Sequence, residues 1–208
     1  MEKRGKPHKK MKKILIATAR KGKLDEFKGI LKGLNFKFLT LKDLNHSFPE
    51  PEETGKTFAE NAIIKVKFYA EKSGLLTLAD DSGLVVPALA GKLGIKTKRY
   101  AKGSDQNRLQ KLLKEMAGFP ANKRKAKFIS FVAFFNPKDG KLKITQGVCQ
   151  GKIAHKPKGK YGFGYDPIFV VDGLNKRFAE LTLTEKNQVS HRALALQKMK
   201  KFLKQYEN

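Results

Sequence analysis

A single cysteine, Cys149, stands in 208 residues, which excludes an intrachain disulfide and makes a reducing compartment the simplest setting. No apolar stretch approaches the ~20 residues needed to span a bilayer as a helix, and the run "ILIA" behind the basic amino terminus breaks at once into Thr, Arg and Lys. The expectation is therefore a cytoplasmic chain without signal peptide or membrane partner. Acid is scarce: 19 Asp and Glu face 45 Lys and Arg, a formal net charge of +26. Such an excess predicts attraction to polyanions, nucleotides and nucleic acids alike. Seven Lys or Arg and one Glu fall in the first 13 residues, yet the rest of the chain keeps +20. The excess is thus a property of the whole chain rather than of a dedicated nucleic-acid arm. Internal repeats and linkers are absent too, so residues 12–208 read as one domain behind a basic, flexible tail of residues 1–11.

With 40% hydrophobic and 10% aromatic residues, the chain has material for a core. "ILIA" (14–17) is a buried-strand run, and "TARKGK" (18–23) is a polar loop leading to a helix with Leu24, Phe27, Leu31 and Leu34 on one face. "FKFLTL" (36–41) alternates like a strand, and "NHSFPEPEETG" (45–55) must be a loop. Thr57 with Glu60 forms a capping-box pattern that predicts a helix to about Lys72. "LLTLA" (75–79) reads as a strand running into the adjacent Asp80 and Asp81, ahead of a Ser-Gly turn at Ser82. A helix near 105–117, two long strands joined by "NPKDG", the strand "PIFVV" and a basic helix from about 191 to 206 capped by Ser190 complete the pattern. Helices between early strands followed by a hairpin imply an α/β chain with a mixed sheet.

Four stretches offer chemistry, each beside a plain structural alternative. The loop from Thr18 through Ala19, Arg20, Lys21 and Gly22 to Lys23 enters a helix whose free N–H groups suit an anion, although strand–loop–helix junctions with a lysine are common. "PEPEETG" gathers Glu50, Glu52 and Glu53, either a solvated acidic loop or, with Asp80 and Asp81, a set of hard oxygen ligands for Mg²⁺. "KGKYGFGYDPIF" (158–169) places Phe163 between two glycines, where it can stack on a nucleobase or turn into the core. "EKNQVSHR" sets Lys186, His191 and Arg192 around a helix start, as donors to a base edge or as an ordinary capped basic helix.

Together, "ILIATARKGKLDEF", "EETGKTFAENAIIKVKFYA", "ADDSGLVVPALAG", "RYA", "GKYGFGYDPIF" and "FAELTLTEKNQVSHRALAL" resemble, in order, the marks of the inosine triphosphatase (Ham1/RdgB-like) family of non-canonical purine nucleoside triphosphate pyrophosphatases. The resemblance runs from about residue 12 to the end. It implies an elongated mixed sheet flanked by helices, two lobes with an active-site cleft between them, and a homodimer. It further implies Mg²⁺-dependent hydrolysis of inosine, deoxyinosine and xanthosine triphosphates to the monophosphate and pyrophosphate. Asp81 would be catalytic base and metal ligand with Asp80 beside it, and Glu53 the other ligand, with Glu52 as the alternative. Triphosphate would lie on Thr18–Lys23 and near Lys65, with Ser82 a further substrate-binding residue. The purine would lie against Phe163 within Phe163, Gly164, Tyr165 and Asp166, close to Lys186, His191 and Arg192. Two departures stand out: Arg20 replaces the family's usual asparagine, and Leu93 replaces a proline before "RYA". The competing class is a nucleic-acid-binding protein, for which the charge speaks but the acidic loop and aspartate pair do not; a third reading is a family member whose activity is lost or whose nucleotide specificity is shifted by Arg20.

Overall fold

The computed structural model describes residues 11–44 and 48–207. The basic tail expected over residues 1–11 lies outside them except for Met11, as does the start of the expected acidic loop. Six strands form one sheet: β1 (Lys12–Ile16), β2 (Phe36–Thr40), β3 (Leu76–Val85), β4 (Lys125–Phe135), β5 (Leu142–Ile153) and β6 (Phe169–Val171). Their order is β2-β1-β3-β4-β5-β6. β1 runs parallel to both β2 and β3, whereas β3, β4, β5 and β6 pair antiparallel in succession. The expected mixed sheet is what forms.

Helix α1 (Lys21–Leu31) connects β1 to β2, and α2 (Phe58–Ser73) connects β2 to β3. Alternation along the strands sends successive side chains to opposite faces. Ile14, Ile16, Leu78, Val132 and Phe134 pack with Phe27 of α1 and Leu196 of the last helix α5 (His191–Tyr206). Leu15, Ala79 and Ala133 face the other way, onto Ala62, Val66 and Ala70 of α2. A third apolar cluster joins Leu84, Phe128 and Phe169 of the sheet's far end to Leu109 and Leu112 of α3 (Asp105–Glu115).

Local chemistry sets the helix ends. The Thr57 hydroxyl accepts from the Glu60 N–H at 3.1 Å, as a cap should. Glu60, however, reaches back to the N–H of Lys56 rather than that of Thr57. Ser190 caps α5 by accepting from the Ala193 N–H. Its position also ends a seven-residue helix, α4 (Leu183–Val189), opened by a Thr182–Glu185 capping box that the sequence pattern left unread.

One expectation is corrected by the sheet. The aspartate pair does not end a strand at a Ser-Gly turn, since β3 continues through Asp80, Asp81, Ser82 and Gly83 to Val85. Antiparallel β4 pairs with it throughout, from Thr77↔Phe135 to Val85↔Lys127. What ends is the other side: β1 pairs only as far as Leu78, and its last bond is Ala17 N–H to the Leu78 carbonyl at 2.8 Å. The pair therefore lies just beyond the carboxyl end of β1. With α1 on one face and α2 on the other, this is a switch point of the sheet, where α/β folds open a crevice.

Candidate active site

A cavity of about 590 Å³ opens at that point, within the range of small-ligand sites. Of the residues singled out above, Thr18, Ala19, Arg20, Lys23, Glu50, Glu53, Lys65, Asp80, Asp81 and Ser82 line it from the β1 and β3 side. Phe163, Gly164, Tyr165, Asp166, Lys186, His191 and Arg192 line it from the carboxyl-terminal side. Lys21, Gly22 and Glu52 are not in the lining; Lys21 and Glu52 are exposed.

The strand's period of two gives the adjacent aspartates different surroundings. Asp80 faces α1 and α5, where its carboxylate takes Lys23 Nζ at 3.0 Å and Arg192 Nε at 3.0 Å. Although burial opposes ionisation, these two cations hold the carboxyl far below its ordinary range. Asp81 faces α2, where Lys65 Nζ lies 3.0 Å from Asp81 Oδ1 and 3.1 Å from Glu53 Oε1. Here burial dominates, and the Asp81 carboxyl is raised above its ordinary value despite Lys65. Burial also lowers Lys23 to about 8, against the pull of Asp80.

Glu53 is placed by the helix that supplies Lys65. Fully buried Asn61, one turn before Lys65 on α2, accepts the Gly55 N–H at 2.8 Å and so ties down the "EETG" loop. Gly55 lies so close that a β-carbon there would stand 2.6 Å from Asn61 Oδ1.

At the start of α1, Arg20 occupies the cap position but its side chain does not cap. The first-turn N–H groups are thus left for another acceptor, and the helix end favours an anion. Against this turn lies Phe163: a β-carbon at Gly22 would sit 2.4 Å from Phe163 Cδ1. Lys186 Nζ and Arg192 Cζ lie 4.7 and 5.9 Å from the Phe163 ring centre. Asp166 accepts the Phe163 N–H at 2.9 Å and Lys186 Nζ at 2.6 Å, and Asp105 accepts the Gly164 N–H at 3.1 Å.

Glu26 was missed by sequence reasoning. Only 1% exposed, it joins the two buried cations, taking Lys186 Nζ at 3.0 Å and Arg192 Nη1 at 2.5 Å. Its adjacency to Phe27 on the buried side of α1 was the one available signal. Asp105 and Arg108, which pair with each other in the lining, were missed as well. His191 is stacked on Phe128 with centroids 4.6 Å apart. Burial and nearby Arg192 keep it neutral, well below its ordinary pKa. Among the described residues its Nδ1 finds no hydrogen-bond partner.

Among the described residues no three His, Cys, Asp or Glu side chains converge as an all-protein metal cage. Mg²⁺ commonly uses only one or two carboxylates together with substrate phosphates and water. Glu53 and Asp81 fit that donor set, and Lys65 already shows that a cation is held between them.

The sequence matches the family model described as the Ham1 family over residues 14–202. It is 43% identical over 196 residues to a dITP/XTP pyrophosphatase of Oceanobacillus iheyensis, covering 93% of this chain and 98% of that one. With the dITP/XTP pyrophosphatase of Haemophilus influenzae it shares 44% identity over 191 residues, covering 90% and 97% of the two chains. The solved structure of a HAM1 protein from Coxiella burnetii superposes with a TM-score of 0.82 at 40% identity, covering 94% of this chain and all of that one. A crevice beyond β1 with buried acids holding its cations is thus matched by whole-length likeness in sequence and fold, and the chain belongs to the Ham1 family.

Proposed function

We propose that this chain hydrolyses non-canonical purine nucleoside triphosphates, those of deoxyinosine, inosine and xanthosine, between the α and β phosphorus atoms to give the monophosphate and pyrophosphate. The observation that carries the reading is the Glu53–Lys65–Asp81 arrangement beside the uncapped start of α1. It offers two carboxylates for a metal next to a seat for phosphate.

Asp81, made more basic by burial, orients the attacking water and takes its proton. The first-turn amides of α1, with Lys23 and Lys65, hold the phosphates and stabilise the leaving pyrophosphate. Glu53 and Asp81 would hold Mg²⁺, which when bound neutralises charge on the phosphate chain. Phe163 supplies the face on which the purine stacks. Lys186, Arg192 and His191, whose Nδ1 has no partner among the described residues, line the cavity and are the groups this reading assigns to the base edge. Donors that match a 6-oxo group are left unpaired by the 6-amino group of adenine, which disfavours it.

The two-lobed cleft and the homodimer belong to the same reading and rest on the family resemblance, whereas the cytoplasmic setting rests on the single cysteine and the short apolar runs of the sequence. Among the described residues, no helix is long and apolar enough to cross a membrane. The test is pyrophosphate release from inosine, deoxyinosine, xanthosine, adenosine and guanosine triphosphates, with and without Mg²⁺. Release from the first three, dependent on Mg²⁺, is expected. Absence of release from all five, with tight binding to nucleic acid, would sink the proposal in favour of a binding protein.

A further inference from the structure

We propose that Lys65 is the resident counter-ion of the metal site: its ammonium holds Glu53 and Asp81 in the nucleotide-free protein and yields them to a divalent ion only when a triphosphate takes the ammonium. This rests on the reading of Glu53 and Asp81 as metal ligands.

The carboxylates meet at one point in the structure, and Lys65 Nζ occupies it, 3.0 Å from Asp81 and 3.1 Å from Glu53. The side chains are 9%, 11% and 18% exposed for Lys65, Asp81 and Glu53, so solvent screens this triad weakly. A divalent ion using the same oxygens would meet a positive charge at contact range. The ammonium cannot leave without another anion, because a buried charge stripped of its partners is strongly disfavoured. The other acids of that part of the lining are engaged: Asp80, on the other face of β3, is committed to Lys23 and Arg192, and Glu50 already has a partner of its own. The α1 end supplies N–H groups and cations, which attract a phosphate but cannot receive an ammonium. A triphosphate placed there resolves the conflict, since its oxygens can accept the ammonium as the carboxylates turn to the metal. The four-carbon stem of lysine permits that short swing. Metal and nucleotide thus bind with positive coupling, and each raises the other's affinity by the same factor.

The experiment uses the full chain and Mn²⁺ alone, followed by electron paramagnetic resonance, on wild type, Lys65→Met and Lys65→Met/Asp81→Asn. Wild type without nucleotide is expected to show no saturable site in the millimolar range. Lys65→Met should take up one ion per chain at least about tenfold more tightly, since the competing charge is gone. The double variant should lose it. A second measurement needs no variant: the wild-type melting temperature should be unmoved by Mg²⁺ alone and raised by Mg²⁺ with a non-hydrolysable inosine triphosphate analogue. Tight Mn²⁺ binding by wild type, or a melt shifted by Mg²⁺ alone, overturns the proposal. So does absence of binding in a folded Lys65→Met. If Mg²⁺-dependent pyrophosphate release persists in wild type under any of these results, the proposal falls without the function on which it rests.

Discussion

Asp80 and Asp81 are neighbours with opposite employments, because a strand turns adjacent side chains to opposite faces. Asp80→Asn removes a full charge from between Lys23 and Arg192, both buried. Breaking such a network is expected to cost about 3 to 5 kcal/mol of stability. Asp81→Asn leaves Lys65 its partner Glu53, so the fold should persist while turnover falls by on the order of 10²-fold or more. Denaturant melts and pyrophosphate assays on the two variants check this; a stable, inactive Asp80→Asn beside an active Asp81→Asn would reverse the assignment. Lys23 gives a pH signature. Its folded pKa is about 8 instead of 10.5, so the unfolded state binds the extra proton between those values. The stability cost of its burial is therefore fully present below pH 8 and relieved as pH rises toward 10.5. Activity runs the other way: in the free enzyme the ammonium, favoured by Asp80 and Asp81 but opposed by Arg192 and Lys65, is lost above pH 8. kcat/KM should decline there, and Lys23→Arg, which stays charged, should move that limb upward. An unmoved limb would remove Lys23 from the pH dependence.

Most elements were legible because their signals are local. Thr57 and Ser190 cap as their types predict, and β4 and β5 follow from two long strand-like stretches around a turn. What was not legible depends on distant partners. Glu26, in a helix thick with lysine, reads as a surface acid until α4 and α5 bring Lys186 and Arg192 against it. The continuation of β3 through two aspartates contradicts their low strand propensity, and is imposed by β4 along its whole length. The start of α1 was legible in residue types as a polar loop entering a helix, but not as the seat of an aromatic ring. That contact makes a test of the element. Gly22→Ala adds a better helix former, so stability should hold or rise slightly. Its methyl group would nevertheless displace Phe163, weakening binding of every purine triphosphate by up to about 1 to 3 kcal/mol, the worth of a stacked base. Preference among bases should not change. In Phe163→Ala the same substitution should have almost no further effect on binding; additive losses measured in that cycle would show that Gly22 acts elsewhere.

Over the whole molecule the scarce acid is spent unevenly. Of 19 acidic residues, seven line or brace the cavity: Glu26, Glu50, Glu53, Asp80, Asp81, Asp105 and Asp166. Lys23, Lys65, Arg108, Lys186 and Arg192 of the crevice are thereby paired in place, while the cations in excess over acids leave the chain at +26. Charge that draws polyanions and charge that holds substrate are therefore separate, and one can be altered without the other. Residues 1–10 carry five Lys or Arg and one Glu ahead of β1, and no described residue of the crevice lies among them. Deleting them should leave kcat/KM for inosine triphosphate within about twofold, since long-range steering is screened beyond ~8 Å at physiological salt. It should weaken binding to duplex DNA and flatten the dependence of log K on log salt by between about one and four, according to how many of the five cations meet phosphates. Fluorescence anisotropy across a salt series measures the slope. An unchanged slope would place nucleic-acid affinity on the folded body, and a collapse of hydrolysis would bring the tail into the active site.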